Sequence, residues 1–174
     1  MDDVKLLFSE EDIARRVSEM ALEIASGTQG ELTIIGVLRG SFIFVADLVR
    51  ALDKAGLPSR IELLRLSSYG NNQKSEGDVV LIGGCPKINP ARTVLLIDDI
   101  VDTGKSIAYA KKLLRASGPG VIKTCTLLDN PHRREVDVDI DYVGFTIPNE
   151  FVVGYGIDFA EDYRSLPYVG IVER

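Results

Sequence analysis

The chain has 174 residues, 45% of them hydrophobic and 26% charged, with 26 acidic against 20 basic side chains and a net charge of -6. Those proportions fit a single globular domain with a buried core, and the negative field counts against nucleic acid or an anionic membrane as partner. With two distant cysteines and one histidine, no zinc-site spacing is present, and the thiols are expected to stay reduced in a cytoplasmic protein.

The first twenty residues are amphipathic and charged, without the apolar stretch of a signal peptide. No apolar run approaches the roughly 18–20 residues that span a bilayer. From Ser9 to Gly27 the pattern predicts a helix: a capping serine, early acids, apolar residues at Ile13, Val17, Met20, Ala21 and Ile24, then a terminating glycine. The stretch "ELTIIGVLRG" (31–40) predicts a buried strand, and residues 41–56 a helix with Ser41 as its cap. A strand is expected over 60–70, a polar loop over 71–78, and a short strand over 79–84 paired to its neighbour as a hairpin. Residues 92–99 form a second fully buried strand, followed by a helix from Thr103 to Ser117. Further strands are expected over 121–128, 141–148 and 150–157. Asp137, Asp139 and Asp141 share one side of an extended segment and read as a solvated face.

Apolar strands alternating with helices predict an α/β fold, with a mostly parallel twisted sheet flanked by helices on both faces. Ligands of such sheets bind at the carboxyl ends of the strands. Attention therefore falls on residues 38–40, 67–70, 98–106 and 127–134, with a further cluster at 158–164.

The most informative of these is "VLLIDDIVDTGKS" (94–106), a buried strand that runs into acids, a glycine and a lysine. Thr103, Gly104, Lys105 and Ser106 lie where strand becomes helix. Unpaired N–H groups and the positive end of the helix dipole suit a phosphate there. It is not a Walker A loop, because position 99, where that motif requires glycine, is Asp. Three carboxylates beside a phosphate would repel it unless they serve something else. Asp98 and Asp99 could hold sugar hydroxyls, directly or through hydrated Mg2+, and Asp102 could act as a general base. A strand end with solvated acids is the plainer alternative. Receiver domains also carry an acid pair at a strand end, but near the start of the chain.

Taken whole, the string resembles the signature of the type I phosphoribosyltransferases, which use phosphoribosyl pyrophosphate (PRPP). Asp102 before Thr-Gly-Lys-Ser is similar to the 6-oxopurine branch, the hypoxanthine-guanine enzymes. "VLRGS", "LSSYG", "TLLDNPHRR" and "FVVGYGIDFAEDYRSLPYVG" follow in that family's order and spacing. The resemblance implies one phosphoribosyltransferase domain over 1–174, with a small hood from the N-terminal segment and roughly 145–174, and a mobile lid at about 67–78. It further implies that Asp98 and Asp99 hold the ribose, and that Asp102, Thr103, Gly104, Lys105 and Ser106 bind the 5′-phosphate. Asp102 would take the N7 proton of the base. Arg39, Gly40 and Arg164 would meet pyrophosphate, with Ser68 and Tyr69 closing over it. The peptide between Leu38 and Arg39 is often cis in that family. Phe151 would stack on the purine and the Val152 backbone read its edge. Asp158 would hold a second Mg2+, completing a metal set with Asp98 and Asp99. The partners implied are PRPP and a 6-oxopurine, in a homodimer or homotetramer.

One position departs from the pattern. Most 6-oxopurine relatives have lysine at 130, donating to the base oxygen O6; here it is Asn130. Its amide could donate more weakly, a cation such as Arg133 could substitute, or the preference could shift toward xanthine or adenine. Retained use of hypoxanthine or guanine is expected. A PRPP-sensing, nucleic-acid-binding relative is the alternative from another class.

Overall fold

The computed structural model describes residues 4–68 and 79–172. In chain order the strands are β1 (Val4–Phe8), β2 (Leu32–Leu38), β3 (Ser59–Ser68), β4 (Val79–Ile82), β5 (Thr93–Val101), β6 (Val121–Asp129), β7 (Tyr142–Thr146), β8 (Val152–Val153) and β9 (Val169–Val172). The helices are α1 (Glu10–Ser26), α2 (Phe42–Lys54) and α3 (Lys105–Ala116). Six strands form the main sheet in the order β4-β3-β2-β5-β6-β7. All its pairings are parallel except the antiparallel β3–β4 hairpin. A second sheet joins the two ends of the chain, in the order β1-β9-β8.

The central strands are buried on both sides, as their continuous apolar runs require. On one face Leu32, Ile34, Leu95, Ile97 and Leu127 pack with Ile13, Met20 and Ile24 of α1 and Phe44 and Leu48 of α2. On the other, Ile35, Val37, Val94 and Leu96 meet Ile107, Ala110 and Leu114 of α3. Helices therefore cover both faces, as the alternation predicts. α1 begins with a reciprocal cap: the Asp12 N–H donates to Ser9 Oγ at 3.1 Å and the Ser9 N–H to Asp12 Oδ2 at 3.3 Å. Arg16 ties α1 to the sheet by donating to the carbonyls of Val143 and Gly144, at 2.8 and 2.9 Å.

The structure corrects three local expectations. Ser41 precedes α2 but does not cap it. Its φ of -72° and ψ of -6° are already helical, and its hydroxyl donates to the Val37 carbonyl at 2.5 Å instead. The strand expected over 150–157 shrinks to Val152–Val153, because left-handed Gly154, Tyr155 and Gly156 turn the chain away. β1 and β9, which periodicity did not suggest as strands, exist by pairing with each other across the whole sequence. The predicted β3–β4 hairpin is present, with Ser68 opposite Val79. Of the expected lid, Tyr69 and residues 70–78 lie outside the described residues.

Strand order reverses at β2. The chain passes from β2 to β3 on one side, then returns to place β5 on the other. Such a reversal leaves a crevice beyond the carboxyl ends of the two strands. Leu38-Arg39-Gly40 and Asp98-Asp99 are the residues that meet there.

Candidate active site

β2 and β5 lie in register with Gly36 opposite Ile97, so Gly40 emerges beside Asp99. A Cβ at Gly40 would collide with the Asp99 carboxylate, and one at Gly156 would collide with the Gly40 carbonyl. Glycine at 40 and 156 thus lets the end of β2, the acid pair and the loop after β8 converge. The Leu38–Arg39 peptide is cis.

Asp98 is buried, and its Oδ1 accepts from the Asp99 N–H at 3.1 Å. Burial pushes its carboxyl well above the usual range, and the adjacent Asp99 charge adds to this. Burial raises Asp99 too, partly offset by hydrogen bonds and the Arg164 charge. The two carboxyls are an electrostatically expensive pair. They suit a ligand that supplies hydroxyl donors or a cation.

Beyond them the chain turns into α3 through Gly104, whose φ of +83° suits glycine; a side chain there would also strike the Val136 carbonyl. No side chain caps the helix, although Thr103 Oγ1 accepts from the Lys105 N–H at 3.3 Å. The Thr103 carbonyl accepts from the N–H groups of Glu135 and Val136, at 3.0 and 2.9 Å, so the segment after β6 braces the loop. Lys105 pairs with Glu135 at 2.5 Å. A cavity of about 80 Å³ is bounded here by Asp98, Asp102, Thr103, Gly104 and Ser106. Uncapped N–H groups at a helix start are the kind of donors that suit an anion.

Asp102 stands at the mouth of this loop, with Oδ1 buried and unpartnered and Oδ2 3.7 Å from Arg133 Nη1. Burial raises its carboxyl above the usual aspartate range; Arg133, Asn130 and Arg134 act in the opposite sense. Asn130 follows β6, its N–H donating to the Val101 carbonyl at 3.0 Å. Its side chain is wholly buried, faces Asp102 without reaching hydrogen-bond geometry, and has neither amide atom partnered.

The third group is the loop after β8. Arg164 Nη1 donates to the Gly156 carbonyl at 2.8 Å, and Nη2 pairs with Asp158 at 2.7 Å. Asp158 Oδ2 accepts from the Glu161 N–H at 2.9 Å. Glu161 in turn holds Arg39 at 2.5 Å and lies 3.7 Å from Arg164. The structure therefore brings together Arg39, Gly40, Asp158 and Arg164, which lie far apart in the chain. Sequence reading missed Glu161, which joins the two arginines. Nothing distinguished it from a solvated acid, and its left-handed φ of +72° was invisible in the residue type. Phe151 and Val152 begin the same segment; the Phe151 ring meets Phe159 edge-on at 5.7 Å, and Val152 is buried in β8. The backbone of Ser68 closes β3 at the same edge of the sheet, and Tyr69 is outside the described residues.

Among the described residues no three His, Cys, Asp or Glu side chains converge as a ready metal site. The acids fit magnesium in another manner. That ion binds through one or two carboxylates plus water and substrate oxygens, and Asp98, Asp99 and Asp158 are carboxylates set around one crevice.

An acid pair, an uncapped helix start and two arginines around one crevice mark an α/β protein whose charged groups gather at the carboxyl edge of its sheet. Residues 4–160 match the family model described as the phosphoribosyl transferase domain, and the chain belongs to that family, among its hypoxanthine and hypoxanthine-guanine phosphoribosyltransferases. It is 44% identical to the hypoxanthine-guanine phosphoribosyltransferase of Aquifex aeolicus (strain VF5), over 98% of this chain and 95% of the relative. To the hypoxanthine phosphoribosyltransferase of Salmonella typhimurium it is 40% identical, over 97% of this chain and 95% of the relative. A solved structure of the hypoxanthine-guanine enzyme of Bacillus anthracis, with a HEPES molecule in the active site, superposes with a TM-score of 0.89 at 41% identity. That match covers 98% of this chain and all of the other.

Proposed function

We propose that the chain is a purine-salvage enzyme that transfers the 5-phosphoribosyl group of PRPP to N9 of hypoxanthine or guanine, giving IMP or GMP and pyrophosphate. The observation that carries this is the junction of β5 and α3. There an acid pair, a half-buried carboxylate and an uncapped helix start stand within nine residues, from Asp98 to Ser106.

Thr103, Gly104, Lys105 and Ser106, with the Asp102 backbone, take the 5′-phosphate on their N–H groups. Asp98 and Asp99 hold the ribose hydroxyls. Arg39, the Gly40 backbone and Arg164 take pyrophosphate, after Glu161 gives up the two arginines. Phe151 stacks on the purine, and the Val152 backbone meets its edge. Ser68 and Tyr69 belong to a lid that keeps water from the activated sugar. The small sheet of β1, β8 and β9 is the hood. In the reaction the C1′–N9 bond forms as the C1′–oxygen bond breaks. Pyrophosphate leaves with the electron pair, and the N7 proton passes to Asp102. The carboxylates facing C1′ stabilise the oxocarbenium-like charge that grows there. Asp98, Asp99 and Asp158 are the residues that would hold magnesium, which would supply positive charge beside the pyrophosphate leaving group.

The protein is proposed to act in the cytoplasm as a homodimer or homotetramer, with small molecules as its substrates. Both cysteines are free thiols, and no described helix is long and apolar enough to cross a membrane.

The test is PRPP-dependent nucleotide formation with hypoxanthine, guanine, xanthine and adenine side by side, resolved by chromatography. IMP and GMP should form fastest. Failure to consume PRPP with any base would remove the proposal, and tight salt-sensitive RNA binding in its place would favour a regulatory role.

A further inference from the structure

One cation touches both parts of the base site and takes no part in the reaction as described. Arg133 sits in the single 3-10 turn after β6, Pro131–Arg133, held by its N–H to the Asn130 carbonyl at 3.3 Å. Nε donates to Asn149 Oδ1 at 2.9 Å, which anchors the guanidinium and leaves its two terminal nitrogens. The guanidinium carbon lies 5.1 Å from the centre of the Phe151 ring. Nη1 is 3.7 Å from Asp102 Oδ2. The guanidinium thus stands between the ring assigned to stacking and the carboxylate assigned to the N7 proton.

A 6-oxopurine presents N7 and O6 side by side on one edge, and arginine is the side chain that commonly donates to that edge, whereas asparagine suits the N6/N7 edge of adenine. A group that takes the N7 proton and a group that donates to O6 must therefore be neighbours. Asp102 and Arg133 are such neighbours. Asn130 is badly placed to donate there, because it is wholly buried and both its amide atoms lie out of reach of solvent beside Asp102. The other nearby cations are engaged. Arg134 is held by Asp129 and by the carbonyls of Val101 and Asp102, Lys105 by Glu135, and Arg164 by Asp158. Lys5 lines the cleft beside Phe151 and is the competing donor.

We propose that Arg133 is the specificity-determining residue that reads the 6-oxo group, with Asn130 a neutral positioning residue behind Asp102. This rests on the proposed phosphoribosyl transfer to a purine at the same site.

The experiment is calorimetric binding of two nucleotides, IMP and purine riboside 5′-monophosphate, which lacks the 6-oxygen. It uses the wild type and the variants Arg133→Met, Arg133→Lys, Asn130→Ala and Lys5→Met. Loss of a charge-assisted hydrogen bond should weaken IMP about 10- to 100-fold in Arg133→Met while leaving the second nucleotide within about threefold. Arg133→Lys, which keeps the charge and is the milder change for folding, should fall between. Asn130→Ala should weaken both nucleotides alike. Equal weakening of both nucleotides in the Arg133 variants, no weakening in either, or a selective loss of IMP in Lys5→Met or Asn130→Ala would overturn the assignment. A wild type that binds neither nucleotide would overturn the functional reading itself, and this inference with it.

Discussion

Replacing Asp102 by asparagine separates chemistry from binding. The carboxylate is half-buried, its Oδ1 has no partner, and its one ion pair, to Arg133, spans 3.7 Å. The two side chains of that pair are 35% and 33% exposed, so the pair is worth at most about 1 kcal/mol. Asparagine keeps the shape and sets an amide beside the unpartnered amide of Asn130, so stability should change by less than about 1 kcal/mol. In the proposed site the loop meets the 5′-phosphate of PRPP through backbone N–H groups and not through the Asp102 carboxylate, so the KM for PRPP should move by no more than about fivefold. A general base, in contrast, contributes about 10²–10⁴ in rate, or roughly 3–5 kcal/mol. The variant should therefore lose at least about 100-fold in kcat. Steady-state rates from nucleotide absorbance, PRPP titrations and a thermal melt measure all three quantities. A kcat within about threefold of wild type, or a PRPP KM that rises as steeply as kcat falls, would refute the assignment.

The remaining predictions follow from burial and contact. Because burial raises Asp102 and the proposed base acts in its charged form, kcat/KM should be present above its folded pKa and fall as pH drops through it, at a pH above the ordinary aspartate value of 3.8. Arg133→Met removes a cation that favours the charged form, so a pH–rate profile should show that limb moved upward. Gly40→Ala drives a methyl group into the Asp99 carboxylate and should cost about 1–3 kcal/mol in urea unfolding, together with a raised KM for PRPP. Phe44→Ala empties a fully buried site between α2 and the sheet and should cost about 3–5 kcal/mol by the same measurement. Tyr155→Phe removes a hydroxyl that donates to Asp47 from the turn after β8. About 1–2 kcal/mol should be lost in a thermal melt, the low end because Asp47 is partly exposed and keeps Arg50.

Much of the framework was legible in the residues. The apolar runs of β2 and β5 and the heptad-like spacing in α1 announce a sheet covered on both faces, because burial demands those periods wherever the segment sits in the chain. The β5–α3 junction was legible for a related reason: its acids, glycine and hydroxyls are contiguous, and a local backbone turn brings them together. Asp102 and the loop from Thr103 to Ser106 belong to that local class. β1 and β9 were not legible. Both are short, β1 is partly exposed while β9 is mostly buried, and their strand character comes from pairing the two chain ends.

The sequence by itself settled the kind of chemistry on offer, since side-chain type and short spacing determine which groups can share one loop. Tertiary structure alone decided which distant groups share the crevice: Arg39 with Glu161 and Arg164, and Arg133 with Phe151 and Asp102. It also decided that Asn130 faces inward, which its place next to Asp129 could not reveal. The reason is physical. Strand register and close glycine contacts set distances between residues more than a hundred positions apart, such as Arg39 and Glu161, and no local pattern encodes them.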